Sequence, residues 1–198
     1  MLPGCNLLAC HVHTGRIEPP VAATARYVIS VRDPIDRVVS AFNWKHPGNG
    51  GGGGWKKSDS SSFLYRCFDT VDRFALGLKA ADECGDTARK WLTEPHEHIT
   101  MGLEFYLGAV LEAVLARPYF LLRTESYDRD IMAAAQWIGC TYTRKNRRKH
   151  SAYAMRNQTF LSPQGRASFR EAFAREYDIL EQLEAGAANP QGPTGSRR

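Results

Sequence analysis

Arg26-Tyr27-Val28-Ile29-Ser30-Val31-Arg32-Asp33-Pro34-Ile35-Asp36-Arg37-Val38-Val39-Ser40-Ala41-Phe42-Asn43-Trp44 is the stretch on which the reading of this chain turns. Residues 27–31 form a short run rich in β-branched side chains, as a buried strand requires. Asp33 followed by Pro34 has the form of an N-cap with proline in the first helical position. Ile35, Val38, Val39 and Phe42 then recur at helical spacing and are predicted to face a core. Asp36, Arg37, Ser40 and Asn43 are left on the opposite, polar side. A strand that ends in a basic side chain and turns into a helix suits an anion, because unpaired N–H groups and the helix dipole attract phosphate. Arg32 can fork onto such a group, and Ser40, about two turns along the helix, can donate its hydroxyl. The bland alternative is an ordinary turn in which Arg32 pairs with Asp33 or Asp36, and physics alone leaves both open.

A chain of 198 residues fits one domain with a real core. Hydrophobic content of 43% and charged content of 24% are those of an ordinary globular protein, which excludes a disordered or fibrous class. The formal charge of +5 and a pI near 9.0 favour acidic partners, without choosing among nucleic acid, acidic glycans and anionic lipid. No apolar run approaches the ~20 residues of a membrane helix, and the first residues lack the form of a signal peptide. Cysteines stand at 5, 10, 67, 84 and 140, with no Cys/His set at zinc-ligand spacing, so no metal is expected. One bridge, Cys67 to Cys84, fits across a helix-rich insert and would imply an oxidising compartment. Five reduced, mostly buried thiols fit the spacing equally well.

Upstream of the opening stretch, residues 6–13 read as another short strand, with His11 and His13 projecting to one face. Histidines at a strand's carboxyl end occupy the edge where open α/β sheets place ligands. They are either satisfied structural residues or a general base that takes a proton from an attacking hydroxyl. Downstream, the glycine run and serine cluster of residues 47–62 predict a mobile surface loop. It lacks the Gly-Lys-Ser/Thr ending of a phosphate-binding loop. One amphipathic helical stretch is predicted over 63–92 and a second helix over 98–116. Tyr119-Phe120-Leu121-Leu122-Arg123 reads as a strand that is apolar on both faces, followed by a helix ending near Cys140. Arg144-Lys145-Asn146-Arg147-Arg148-Lys149-His150 is the densest positive run and serves equally as a solvated loop. No aromatic platform accompanies it, so nucleic acid is not the expected partner. Ser162-Pro163 opens a final helix with Phe169, Phe173, Tyr177 and Leu180 as a core stripe, and 189–198 is expected to be a disordered tail.

Val31-Arg32-Asp33-Pro34-Ile35-Asp36-Arg37-Val38-Val39-Ser40-Ala41-Phe42 resembles the 3′-phosphate-binding segment of sulfotransferases that use 3′-phosphoadenosine-5′-phosphosulfate (PAPS). The resemblance implies that Arg32 and Ser40 hold the 3′-phosphate of that donor. His11-Val12-His13 is similar to the His-x-His pair of uronyl 2-O-sulfotransferases, which implies that His11 or His13 is the catalytic base. Leu64-Tyr65-Arg66-Cys67-Phe68, the cysteine seventeen residues on, and Leu122-Arg123-Thr124-Glu125 are similar to segments of algal and other sulfotransferase-like proteins. In the 2-O-sulfotransferases a basic loop before the last helix closes over the nucleotide. By resemblance Arg144 and Lys145 contact the cofactor, and Arg147, Arg148 and Lys149 meet an acidic acceptor. The likeness spans roughly residues 5–188, and only its opening segment is sharp.

The implied fold is α/β, a P-loop-NTPase-like parallel sheet with helical crossovers, occupying 1–188 with the 47–62 loop inserted. The family also carries, upstream of its His-x-His strand, a glycine-rich loop with a lysine that grips the 5′-phosphosulfate. This sequence starts ten residues before His11 and contains no Gly-Lys-Ser/Thr elsewhere. The sheet is therefore expected to be N-terminally incomplete, either as a fragment or as a protein with half a cofactor site. Lost donors of that kind are commonly worth several kcal/mol of barrier each, so turnover by these residues alone is not expected. The implied activity is transfer of a sulfuryl group from PAPS to a hydroxyl, on an acidic or neutral glycan, in the Golgi lumen or secretory pathway. A non-catalytic remnant that binds a nucleotide phosphate or an acidic glycan is the alternative, with a basic nucleic-acid-binding domain behind it.

Overall fold

A computed structural model describes residues 27–45, 61–94, 99–140, 142 and 160–188. The described residues are mainly helical, with a small parallel sheet of two strands, an α/β mixture. They divide into two compact units, one built from 27–32, 106–140, 142 and 178–188, the other from 33–45, 61–94, 99–105 and 160–177. The expected strand over residues 6–13, the 47–60 part of the glycine and serine loop, and the 189–198 tail lie outside the described residues.

The first unit carries the sheet. Strand β1 is Tyr27–Val31 and strand β2 is Tyr119–Arg123, paired in parallel with Tyr27 opposite Tyr119 and Val31 opposite Arg123. Tyr119 through Leu122 are all buried, as their apolarity on both faces requires, whereas β1 is only half-buried and exposes Ser30. The Tyr119 hydroxyl donates to the Leu183 carbonyl at 2.8 Å, which satisfies the one polar atom of a fully buried ring. A 3-10 turn, Thr124–Ser126, leads from β2 into a helix, Tyr127–Trp137, that packs back on the strand. Asp130 is buried at its start and accepts from the Arg123 amide (3.0 Å), the Ser126 hydroxyl (2.7 Å) and Arg129 Nε (3.0 Å). The helix stops where Gly139 takes φ +76°, a left-handed backbone that favours glycine.

The second unit is helical. Helix α1, Pro34–Lys45, begins as expected: the Asp33 carboxylate accepts the Asp36 amide at 3.0 Å, and Pro34 supplies a first-turn residue with no N–H to satisfy. Ile35, Val38, Val39 and Phe42 are buried in the core of this unit. The polar face differs from expectation. Asp36 and Ser40 are exposed, but Asn43 is buried and Arg37 turns into a buried ion pair with Glu176.

The single helical stretch expected over 63–92 is three helices, α2 (Ser61–Cys67), α3 (Val71–Gly77) and α4 (Glu83–Thr93). Each break has a local cause. The Thr70 hydroxyl caps α3 by accepting the Arg73 amide at 3.1 Å, and the Asp82 carboxylate caps α4 by accepting the Gly85 amide at 2.7 Å. The expected 98–116 helix is likewise two short ones, α5 (Leu103–Leu107) and α6 (Leu111–Leu115), separated by a turn that contains Gly108. With these elements in place, the helix that follows β2 is α7. Helix α8, Pro163–Ala172, starts at Ser162 as predicted, and the chain breaks at Phe173 before α9, Ala174–Gly186. Phe169 and Phe173 of the predicted stripe are buried, while Tyr177 and Leu180 are only partly so.

Phe42, Phe74 and Phe169 form the centre of this core, with ring centroids 5.8 Å and 5.5 Å apart in succession. Cys67 and Cys84 are joined by a disulfide that ties α2 to α4, with Cα atoms 5.5 Å apart. Cys140 is disulfide-bonded as well, to a partner outside the described residues. Among the described residues, no helix is long and apolar enough to cross a membrane.

Candidate functional site

The candidate site starts where β1 ends. Arg32 is exposed and follows the last strand residue of the first unit. Ser40 is exposed on α1 of the second unit. Neither side chain has a hydrogen bond or ion pair with another described residue, and neither is covered by packed hydrocarbon. The alternative in which Arg32 is neutralised by Asp33 or Asp36 is therefore not what the structure adopts.

Asp33 is engaged elsewhere. Its Oδ1 accepts the Asp36 amide, and the Tyr177 hydroxyl lies 3.2 Å and 3.1 Å from its two oxygens, donating to the carboxylate. The Arg170 guanidinium sits 3.6 Å from the centroid of the Tyr177 ring, a cation over an aromatic face. Burial pushes the Tyr177 hydroxyl above the usual phenol range, and the neighbouring Asp33 charge raises it further, so the hydroxyl keeps its proton. Tyr177 was expected only as a core residue; the signal for its second role is its hydroxyl, since a partly buried tyrosine seeks a polar partner.

Deeper in the same unit, Arg37 and Glu176 form a polar knot that the sequence pattern missed. Arg37 Nη1 donates to Glu176 Oε2 at 3.0 Å and Nη2 donates to the Ile99 carbonyl at 3.0 Å. Glu176 also accepts the Leu103 and Glu104 amides at 2.7 Å and 3.3 Å, satisfying free N–H groups at the start of α5. A cavity of about 80 Å³ beside this knot is lined by Thr100, Glu104, Arg175 and Glu176 among others. A nucleotide-sized ligand needs roughly 300 Å³ or more, so this cavity suits a few waters rather than a cofactor.

His11 and His13 lie outside the described residues, as do Arg144, Lys145, Arg147, Arg148 and Lys149. Among the described residues, no group of three or more His, Cys, Asp or Glu side chains is placed to hold a metal ion. Of the sequence-predicted phosphate ligands, Arg32 is thus described in the first unit and Ser40 in the second, each exposed and without a hydrogen bond or ion pair to another described residue. A guanidinium and a hydroxyl are each groups that can donate to an anion. Comparison with family models, with curated proteins and with solved structures finds no match.

Proposed function

We propose that this chain is a sulfotransferase-type domain that binds PAPS and directs its sulfuryl group to a hydroxyl on an acidic or neutral glycan. In this reading the parallel strands and their helical crossover are part of a P-loop-NTPase-like sheet, the arrangement that sulfotransferases share. The observation that carries the proposal is Arg32, an exposed guanidinium that follows directly on a parallel strand and has no hydrogen bond or ion pair with another described residue. An arginine left unpaired although aspartates stand next to it and four residues on is available to an anion from solution.

Arg32 and Ser40 would hold the 3′-phosphate, the first as a charged fork and the second as a neutral donor, and both residue types fit that group. PAPS supplies the activated sulfuryl group. His11 or His13 would take the proton from the acceptor hydroxyl, a role for which a neutral imidazole is suited near pH 7. Arg144 and Lys145 would add charge around the nucleotide, and Arg147, Arg148 and Lys149 would meet acidic groups of the acceptor. The Cys67–Cys84 disulfide supports an oxidising compartment such as the Golgi lumen or another part of the secretory pathway.

Isothermal titration with adenosine 3′,5′-bisphosphate tests the reading. Arg32→Ala is expected to weaken binding at least tenfold, since a charge-assisted hydrogen bond contributes about 1.5–3 kcal/mol. Ser40→Ala should weaken it several-fold. No heat from the parent chain, or equal affinity in Arg32→Ala, would refute the proposal. A sulfate-transfer assay then separates an enzyme from a domain that only binds.

A further inference from the structure

Of the five cysteines, Cys67 and Cys84 are bonded to each other and Cys140 is disulfide-bonded too, so the partner of Cys140 is Cys5 or Cys10. The place of Cys140 in the first unit separates the two. Helix α7 begins at the carboxyl end of β2, where Asp130 accepts the Arg123 amide at 3.0 Å. It runs back along the strand, and its last residue, Trp137, lies against Phe120 near the start of β2, with ring centroids 6.1 Å apart. The 11 residues of the helix and the 5 of the strand match in length, since rises of about 1.5 Å and 3.3 Å per residue give about 16 Å for both. Cys140 follows at once, its amide donating to the Ala135 carbonyl at 2.8 Å. It therefore stands at the amino edge of the sheet, on the side of Tyr27 and Tyr119 and a strand length from Arg32.

A disulfide holds two Cα atoms within about 4.4–6.8 Å, the length of two strand residues, whereas Cys5 and Cys10 are five residues apart. The choice of partner thus fixes the register of the segment 6–13, which the sequence pattern assigns to a strand. Residues 14–26, between that segment and β1, are long enough for the crossover that a parallel neighbour needs. In a parallel strand over 6–13, Cys5 falls at the amino edge with Cys140, and Cys10 falls about 16 Å further along, beyond the reach of a bridge. We propose that Cys140 is bridged to Cys5, and that this bridge is a peg setting the register of the N-terminal strand so that His11 and His13 come to the edge that carries Arg32. His11 is six residues past Cys5, about 20 Å of strand, and so stands level with Arg32. A bridge to Cys10 would instead leave His11 one residue from the amino edge. The inference rests on the reading of these histidines and Arg32 as one site, and adds the covalent device that aligns them. In forming the bridge, two thiols give two electrons and two protons to a disulfide donor, such as oxidised glutathione, which leaves as two thiols. Cys10 keeps its thiol.

Peptide mapping of the full chain, produced in an oxidising medium, alkylated and digested without reductant, reads the partner directly. Chymotrypsin cuts after Leu7 and Leu8, between the two cysteines. The Cys5 peptide is expected joined to that of Cys140, with the alkyl label on Cys10. A Cys10–Cys140 peptide, or a labelled Cys140, overturns the inference. The register is read by nuclear magnetic resonance in Cys10→Ser, which keeps the bridge, with Arg32→Cys added to carry a nitroxide. The amide signals of His11 and His13 should be broadened and those of Asn6 and Leu7 spared. The reverse gradient, or equal broadening, overturns the inference as well. Should the labelled variant fail to fold by circular dichroism, the map of the parent chain still decides. Titration of the parent with adenosine 3′,5′-bisphosphate keeps the two failures apart. If the map and the gradient hold but nothing binds, or Arg32→Ala binds equally well, the phosphate reading falls and the peg stands. If the bisphosphate binds through Arg32 and the bridge runs to Cys10, only the peg falls.

Discussion

Replacing Arg37 by methionine should be among the most damaging single changes in the second unit. The Arg37 and Glu176 side chains are 14% and 6% exposed, so the pair is largely removed from water. Breaking such a pair from one side strands the other charge, at a cost of about 3–5 kcal/mol. Here the lower end applies, because Glu176 would keep the Leu103 and Glu104 amides as partial compensation. The substitution also orphans the Ile99 carbonyl and removes a cation 5.8 Å from the Phe173 ring centroid. Methionine refills most of the volume, so the packing loss is small. A loss of about 3 kcal/mol corresponds to a fall of about 1.5 M in urea midpoint at a slope near 2 kcal/mol/M, read by far-UV circular dichroism. The companion variant, Arg37→Met with Glu176→Gln, removes the stranded charge and retains a carbonyl for one amide. It should be less destabilised than the sum of the two single changes by at least about 1.5 kcal/mol. Additive single losses, or a midpoint shift below about 0.5 M, would show that the pair is not the buried, charge-dependent unit described.

Reducing the Cys67–Cys84 bridge, or replacing both residues by serine, should cost about 3 kcal/mol for its 17-residue separation, seen as a lower melting temperature under reductant. The parent should lose stability in acid through Asp130. Burial alone would push that carboxyl up, but hydrogen bonds from Ser126, the Arg123 amide and Arg129 outweigh it and hold the carboxyl below its usual range. Its stabilising contribution is present above about pH 4 and is lost as pH falls through the depressed folded value, so Asp130→Asn should flatten the acid limb of stability against pH. A variant that unfolds along the same acid curve as the parent would contradict this. Ser162→Ala removes a cap on the Gly165 amide (3.0 Å) and a donor to Asp72 (2.8 Å), and should cost about 1–2 kcal/mol in urea unfolding.

The parts of the fold legible in the sequence are those whose signals are local. The β-branched run at 27–31, the buried run at 119–123, the Asp33-Pro34 start of α1 and the Ser162-Pro163 start of α8 each need only neighbouring residues to define them. Helix ends inside long apolar patterns were less legible. Hydrophobic spacing continues across Thr70 and Asp82, and only the competition of their side-chain oxygens for backbone amides ends one helix and begins the next. The half-burial of β1 was not legible either, because a strand's covering depends on which elements lie over it and not on its own composition.

Arg37 shows why the site is harder to read than the fold. A helical wheel places it with Asp36 and Ser40 on a polar face, and by periodicity all three are alike. Their fates separate through partners remote in sequence: Glu176, 139 residues on, draws Arg37 inward, while Ser40 remains exposed. Asp33 follows the same rule, because its cap on α1 was evident from Pro34 but its second partner, Tyr177, lies 144 residues away. The local pattern therefore identifies which groups are polar, and distant residues decide which of them stay unoccupied.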